Sequence, residues 1–294
     1  MKVALISFHS FLRPGGVNRH ILGLYKEFKK RGIETKIIVP RRKRNEHYSR
    51  DVILLGTSFA LPFSGSESDF CFNFNPLAID RVLKREKFDI LHFHNHGFLA
   101  GIQLAERSRA LNILTFHADI DGSDLLKRFP LPLLLLEKIV KWKANGIIGV
   151  SPLALSPFKN YHGPKIIIPN GVDADEFNPQ TRKLREPPFD KPEKIKILFV
   201  GRLEKRKGLI YLLRAYKILE KKFPNLALIV VGDGELKKDC QNFAKENNLR
   251  EVYFKGAAEN SKLPSYYASC DIFCSPVAKM NGMKLTQLSY ELNN

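Results

Sequence analysis

The chain is 294 residues long, 44% hydrophobic and 27% charged, with a formal net charge of +18. That length suits two domains better than one core, and no apolar run approaches the roughly 18 to 20 residues that span a bilayer. The longest, Leu131 to Leu136, is broken by Pro132. A field of this sign draws nucleic acid, anionic lipid headgroups or phosphorylated small molecules, or else reflects a lysine-rich surface. No zinc-finger spacing, aromatic RNA-binding motif or basic heptad region speaks for nucleic acid, so none is expected as a partner. The opening Met1 to Phe8 has too short an apolar core for a signal peptide, and His9, Arg13 and Pro14 follow it without a small-residue cleavage site. A cytoplasmic protein is expected. Cys71, Cys240, Cys270 and Cys274 are too few and scattered for a disulfide scaffold and read as free thiols rather than zinc ligands.

In chain order, Lys2 to Phe8 reads as a strand buried on both faces. Pro14-Gly15-Gly16 breaks it. A helix follows with Ile21, Leu22, Tyr25 and Phe28 on one stripe and Lys26, Lys29 and Lys30 opposite, ended by Gly32. Further strands are expected at Ile33–Val39, Ile90–Phe93, Ile113–Phe116, Gly146–Val150 and Lys165–Ile168. Helices are expected near Leu77–Glu86, Phe98–Arg109 and Leu133–Lys143. This alternation describes a doubly wound α/β domain over residues 1–174. Residues 175–193, rich in charge and in Pro179, Pro187, Pro188 and Pro192, read as a linker. The alternation restarts over 194–294, with strands at Lys196–Val200, Leu226–Val231, Val252–Lys255 and Asp271–Cys274 and a helix at Leu209–Lys222. Two tandem Rossmann-like domains facing a ligand cleft are the expected architecture.

Each domain places a glycine-containing loop after its first strand and before its first helix, where backbone N–H groups and the helix dipole favour an anion. In the first domain the loop is Pro14-Gly15-Gly16-Val17, and in the second Gly201 to Gly208. A tight turn explains Gly-Gly equally well. The second loop is more telling, because Arg202 and Lys207 bracket a turn whose clustered cations make sense once a diphosphate fills it.

The series Pro14-Gly15-Gly16-Val17 with His20, Phe88-Asp89-Ile90-Leu91-His92-Phe93-His94, Thr115-Phe116-His117, Val150-Ser151, Ile168-Pro169-Asn170-Gly171-Val172-Asp173, Gly201-Arg202-Leu203 with Lys207-Gly208, and Val230-Val231-Gly232-Asp233-Gly234 runs in order along nearly the whole chain. It resembles the retaining glycosyltransferases of family 4, which have the GT-B fold, and among them most closely the phosphatidylinositol mannosyltransferases. The resemblance implies transfer of a hexose from a GDP- or UDP-linked sugar to a lipid or saccharide acceptor, without metal or other cofactor. It matches Arg202 and Lys207 to the phosphate-binding pair, Gly15 and Gly16 to the opposing glycine loop, Gly16 supplying a backbone donor, and Gly201 to the second loop. It matches His117 to the active-site histidine near sugar and acceptor hydroxyl, and Lys262 to a contact with the nucleotide base. It places Asn170 to Asp173 in a turn before the linker, more structural than catalytic.

His92, His94 and His96 alternate and so share a face of an extended strand. They lack a carboxylate or fourth ligand close by, so an acceptor contact is favoured over a metal. Arg41-Arg42-Lys43-Arg44, and the basic amphipathic segment from Ser123 to Lys143, suit an anionic membrane surface at the inner face of the cell membrane; an ordinary solvated helix fits the second equally well. Family members carry Gly-Glu-x-Phe-Gly and a second Glu soon after the strand that here ends at Cys274-Ser275-Pro276, whereas Glu291 is the only carboxylate after Pro276. The second domain therefore reads as incomplete, as a frameshift or premature stop would leave it. Poor affinity for GDP-mannose and an exposed sheet edge are expected. Alternative readings are a remnant that binds nucleotide or anionic membrane without turnover, and a sugar-nucleotide epimerase, against which the Arg202 to Lys207 loop argues.

Overall fold

In the computed structural model, residues 1–12, 15–63, 66–73, 75–95, 98–117 and 142–276 are described. The helix expected at Leu133–Lys143 falls outside them except for Trp142 and Lys143, as do His96 and everything after Pro276. The chain divides into two compact units, Met1–Gly171 and Val172–Asn294.

The first unit opens with β1 (Lys2–Ser7), whose residues 3–7 are all buried. Alternate side chains go to opposite faces of a strand. Ala4 and Ile6 enter one core with Ile38, Phe93, Phe116 and Phe158, while Val3 and Leu5 enter another with Ile21 and Ile37. A strand buried on both faces needs a covering layer on each side, and helices supply both. Helix α1 (Gly16–Lys30) covers the Val3 and Leu5 face. Helices α2 (Pro76–Glu86) and α3 (Phe98–Arg107) supply Ile79, Val82, Ala100 and Leu104 to the other. The stripe on α1 is Val17, Ile21, Leu24, Tyr25 and Phe28; Leu22, expected on it, is 48% exposed. At 100° per residue Leu22 points well away from Ile21, whereas Tyr25 and Phe28 return close to its direction.

The remaining strands are β2 (Glu34–Arg41), β3 (Val52–Phe63), β4 (Ser66–Phe72), β5 (Ile90–His94), β6 (Leu111–Phe116), β7 (Gly146–Gly149) and β8 (Lys165–Ile167). They form one sheet in the order β4-β3-β2-β1-β5-β6-β7-β8, parallel except for the β3–β4 pair. That hairpin is absent from the sequence expectation, which has no element between Val39 and Leu77. Gly56, at φ +80°, interrupts the first apolar run, and Ser66-Glu67-Ser68-Asp69 opens an edge strand of polar composition. Its pairing is set by the partner strand and not by its own pattern.

The second unit carries β9 (Ile195–Val200), β10 (Leu226–Val231), β11 (Val252–Gly256) and β12 (Ile272–Phe273) in a parallel sheet ordered β11-β10-β9-β12. Helices α4 (Leu209–Lys222) and α5 (Lys237–Glu246) pack Leu212, Leu213, Tyr216 and Cys240 on one face. The other face, Leu198, Ala227, Ile229 and Val231, is covered by Tyr266 of the short α6 (Leu263–Ala268) and by Leu184 and Phe189. Residues 175–193, read as a linker, thus contribute to this unit's core. The Leu184 N–H donates to Ser269 Oγ at 2.7 Å, and Lys255 Nζ reaches Glu186 Oε1 at 3.0 Å. Proline suppressed any regular periodicity there, so the two apolar side chains that dock were not distinguishable from solvated ones.

Candidate active site

In the first unit, the chain moves from β1 outward to β2 and β3, then returns to place β5 on the opposite side of β1. The carboxyl edge between β1 and β5 is therefore a topological switch point, where α/β sheets open a crevice for ligands. Parallel pairing aligns Ser7 of β1, His94 of β5 and Thr115 of β6 in one row. The N-terminus of α1 and His117, two residues past Thr115, stand at the same edge. His20 lies one turn into α1.

These histidines meet. His94 Nδ1 and His117 Nε2 are 3.1 Å apart, and the His20 ring lies 5.3 Å from that of His94 and 4.9 Å from that of His117. His92 stacks beneath at 4.4 Å from His94 and bonds Thr115 Oγ1 through Nε2 at 2.6 Å. His94 is wholly buried, and its Nε2 has no hydrogen-bond partner among the described residues. Burial, reinforced by charge repulsion from neighbouring histidines, pushes His117 and His92 down to about 4 and His94 well below its ordinary value; burial also lowers His20. All four are thus neutral at pH 7, with lone pairs available for hydrogen bonds.

Two asparagines unremarked in the sequence build this edge. Asn95, in the left-handed region at φ +64°, receives the His117 N–H on its side-chain oxygen at 2.9 Å. Buried Asn18 accepts from Ser7 Oγ at 2.8 Å and donates to the Ser10 carbonyl at 3.0 Å, tying the start of α1 to the end of β1. Their only sequence signal is a polar residue beside each motif.

Gly15 is the extended N-cap of α1 and Gly16 its first residue. Among the described residues a Cβ at either position would meet nothing within 4 Å, and neither has a positive φ, so the described fold makes no demand for glycine here. Gly16→Ala is expected to leave the melting temperature unchanged or to stabilise by up to about 1 kcal/mol, yet to cut sugar transfer roughly tenfold by blocking close approach to the backbone N–H. Thermal melts and initial rates, measured side by side, check it; equal loss of both would assign Gly16 to the fold.

In the second unit the glycines play a different part. A Cβ on Gly232, at φ +147°, would collide with the Gly201 carbonyl oxygen, so the ends of β9 and β10 meet backbone to backbone. Part of the backbone in the Gly201 to Gly208 loop is engaged within the fold. The Gly201 N–H donates to the Val231 carbonyl at 3.0 Å, Leu203 to Asp233 at 2.9 Å, Lys207 to Glu204 at 3.0 Å and Gly208 to Lys205 at 3.1 Å. Those four donors are spent within the fold. Glu204, 6% exposed, accepts from Arg202 Nη2 at 3.3 Å and Arg206 Nη2 at 3.2 Å. This carboxylate, the one acid among four cations in Arg202 to Lys207, positions the loop and was missed in the sequence.

The Lys207 stem lies over Gly201, its Cδ 3.7 Å from where a glycine Cβ would stand. Its ammonium has no ion-pair partner among the described residues. Burial lowers its pKa, and Arg206 and Arg202 repel it further, against partial relief from Glu204. A lysine whose charge is opposed in this way would gain from an anion beside it. Lys262 stands exposed in the turn before α6, six residues past the end of β11, a strand two places from β9 in the sheet. No hydrogen bond or ion pair joins it to Arg202 or Lys207 among the described residues.

Elsewhere, Arg41 to Arg44 fold around buried Glu46, which accepts the backbone N–H groups of Arg42, at 2.8 Å, and Lys43. Arg41, Lys43 and Arg44 are left exposed. The basic segment from Ser123 to Lys141 lies outside the described residues. Among the described helices none is long and apolar enough to cross a membrane. Cys71 and Cys240 are buried and Cys270 and Cys274 half-buried, none of them in a disulfide.

Comparison with known proteins agrees along the chain. The family model described as Glycosyltransferase Family 4 matches residues 14–176, and that described as Glycosyl transferases group 1 matches residues 180–284. The phosphatidyl-myo-inositol mannosyltransferase of Mycobacterium tuberculosis H37Rv is 30% identical over 285 residues, covering 94% of this chain and 71% of that protein. That of Mycolicibacterium smegmatis is 30% identical over 288 residues, covering 94% and 70%. Among solved structures, sucrose-phosphate synthase from Thermosynechococcus elongatus superposes with a TM-score of 0.70 at 18% identity, over 94% of this chain and 75% of that one. Anabaena HepE in complex with UDP and glucose gives 0.65 at 17%, over 93% and 73%. The chain belongs to glycosyltransferase family 4, and it is a glycosyltransferase of the GT-B fold.

Proposed function

We propose that this glycosyltransferase moves mannose from GDP-mannose to a phospholipid with retention of configuration, without a metal cofactor, at the inner face of the cell membrane. The carrying observation is Lys207, half-buried beside Arg202 at the end of β9 and without an ion-pair partner among the described residues, a place built for a diphosphate. As the bond from the anomeric carbon to the donor breaks, negative charge grows on the departing diphosphate. Two cations already in position stabilise that charge without reorganising. In the first unit Gly15 and Gly16 expose backbone at the start of α1; in the second, Gly201 lets Lys207 lie close, and Lys262 is assigned to the base. His117, neutral at pH 7, accepts a hydrogen bond from the acceptor hydroxyl and orients it.

The mannosyl donor and lipid acceptor are supported by the names of the relatives, and the exposed Arg41, Lys43 and Arg44 suit an anionic surface, each worth on the order of 1 kcal/mol there. The test is incubation of the full chain with phosphatidylinositol vesicles and radiolabelled GDP-mannose in EDTA, with UDP-glucose in parallel. Donor is supplied at high concentration. Labelled mannolipid of retained anomeric configuration is the expected product. Label from UDP-glucose alone would replace the donor, and vesicle binding without transfer from either would overturn the reading in favour of a non-catalytic remnant.

A further inference from the structure

His20, His94 and His117 come from three separate stretches of sequence and converge at the switch point of the first unit. One ring nitrogen of each lies within 4.8 Å of the other two. An ordinary hydrogen-bonded pair would account for His94 and His117 but leaves one fact over. The third imidazole closes against both rings. Three imidazoles facing one point, with no carboxylate in the group, is a nitrogen donor set. A tetrahedral zinc ion bonded at 2.0 to 2.1 Å separates its ligand nitrogens by about 3.3 Å. The 3.1 Å between His94 Nδ1 and His117 Nε2 is already close to that, so His20 is the ligand that must close in.

The supporting groups are those that hold metal ligands rigidly. His94 sits on a central strand with His92 stacked under it, and His117 is held through its backbone by Asn95. His20 and His117 are only partly buried, which gives an ion a way in and leaves a fourth position for water or a ligand oxygen. Among the histidines, the sequence expectation weighed a metal at His92, His94 and His96. The geometry instead takes His94 with two residues distant in the chain.

We propose that His20, His94 and His117 form a site for one divalent transition-metal ion of the zinc class, bound by imidazole nitrogens with an open fourth position. Because His117 is also the residue assigned to the acceptor hydroxyl, occupancy withdraws it from transfer, and the ion acts as a reversible inhibitor, not as a cofactor. The inhibitory part rests on the transfer reading; the binding part does not.

The test uses tag-free full chain stripped with EDTA and then dialysed, titrated with cobalt(II) chloride in the absence of donor and acceptor. One ion per chain is expected, with the intense visible bands of tetrahedral cobalt, displaced stoichiometrically by zinc. His20→Ala and His117→Ala should each weaken binding about 100-fold or more, since losing a ligand costs at least as much as losing a supporting residue. Exposed His162, outside the cluster, serves as control, and His162→Ala should bind as the parent does. Circular dichroism establishes that each variant is folded; the two partly exposed positions are chosen because His94→Ala risks the core. Unchanged affinity in folded His20→Ala, or only weak pale octahedral spectra, overturns the site. In the transfer assay zinc should inhibit in proportion to occupancy; binding without inhibition would keep the site and overturn its effect on His117.

Discussion

Lys207→Met is expected to lower the affinity for GDP about 10- to 100-fold while leaving the second unit as stable as before or more so. The two halves of the expectation have one cause. Lys207 is half-buried, with Arg206 and Arg202 nearby and no carboxylate of its own among the described residues, so in the absence of ligand its charge is a cost. Methionine keeps the apolar stem over Gly201 and removes that charge. When a diphosphate is present the same charge makes a charge-assisted hydrogen bond worth about 1.5 to 3 kcal/mol, which is the fold-change stated. Calorimetric titration with GDP and thermal melts of both proteins check it. A variant that melts lower and binds equally well would make Lys207 structural. Arg202→Met should behave differently, because Arg202 is paired with Glu204 and its loss leaves a buried carboxylate with fewer partners.

Glu86→Gln should destabilise the first unit by about 3 kcal/mol at pH 7, with an effect that fades in acid. Glu86 ends α2, and its side chain is 5% exposed. Burial by itself would raise its pKa, but hydrogen bonds from Lys36, at 2.8 Å, Lys2, at 3.0 Å, and Arg85, at 2.8 Å, outweigh it and hold the carboxyl at about 2 against an ordinary 4.5. A carboxylate whose pKa is lower folded than unfolded contributes stability that is complete above the unfolded value. That contribution is lost as pH falls from about 4.5 through about 2. A shift of that size is about 3 kcal/mol. Urea unfolding followed by circular dichroism should show the parent and variant well separated at pH 7 and converging near pH 2. A gap that stays constant with pH would mean the substitution acts through packing instead. The site also has a reach in the fold, since Lys2 begins β1 and Lys36 lies in β2, so this one carboxylate ties α2 to two strands of the sheet.

Much of the architecture was legible in the residues because strands buried on both faces read as unbroken apolar runs. Lys2 to Ser7 and Leu226 to Val231 are such cases, and each sits where the run placed it, as does the helix Leu209–Lys222 with its apolar stripe. The β3–β4 hairpin and the docking of Leu184 and Phe189 were not legible. An edge strand and a proline-rich stretch take their places from partners, and pattern along the chain does not name a partner. In the second unit the cation cluster from Arg202 to Lys207 was visible as composition, but the role of Glu204 was not. Only burial distinguishes a carboxylate that organises two arginines from one that merely sits beside them.

By itself the sequence determined the family, the alternation of strands and helices, and the residue types available to hold a diphosphate, because these depend on local order and short-range spacing. The tertiary structure decided which donors are free and which histidines meet. In the second loop the N–H groups of Gly201 and Leu203 proved to be engaged with residues 231 and 233, and those of Lys207 and Gly208 within the loop itself. His20, His94 and His117 are separated by 74 and 23 positions, yet the parallel order of β1, β5 and β6 stacks their carboxyl ends together. Contacts between distant positions are created by strand order, and strand order is a property of the packed sheet and not of any segment within it.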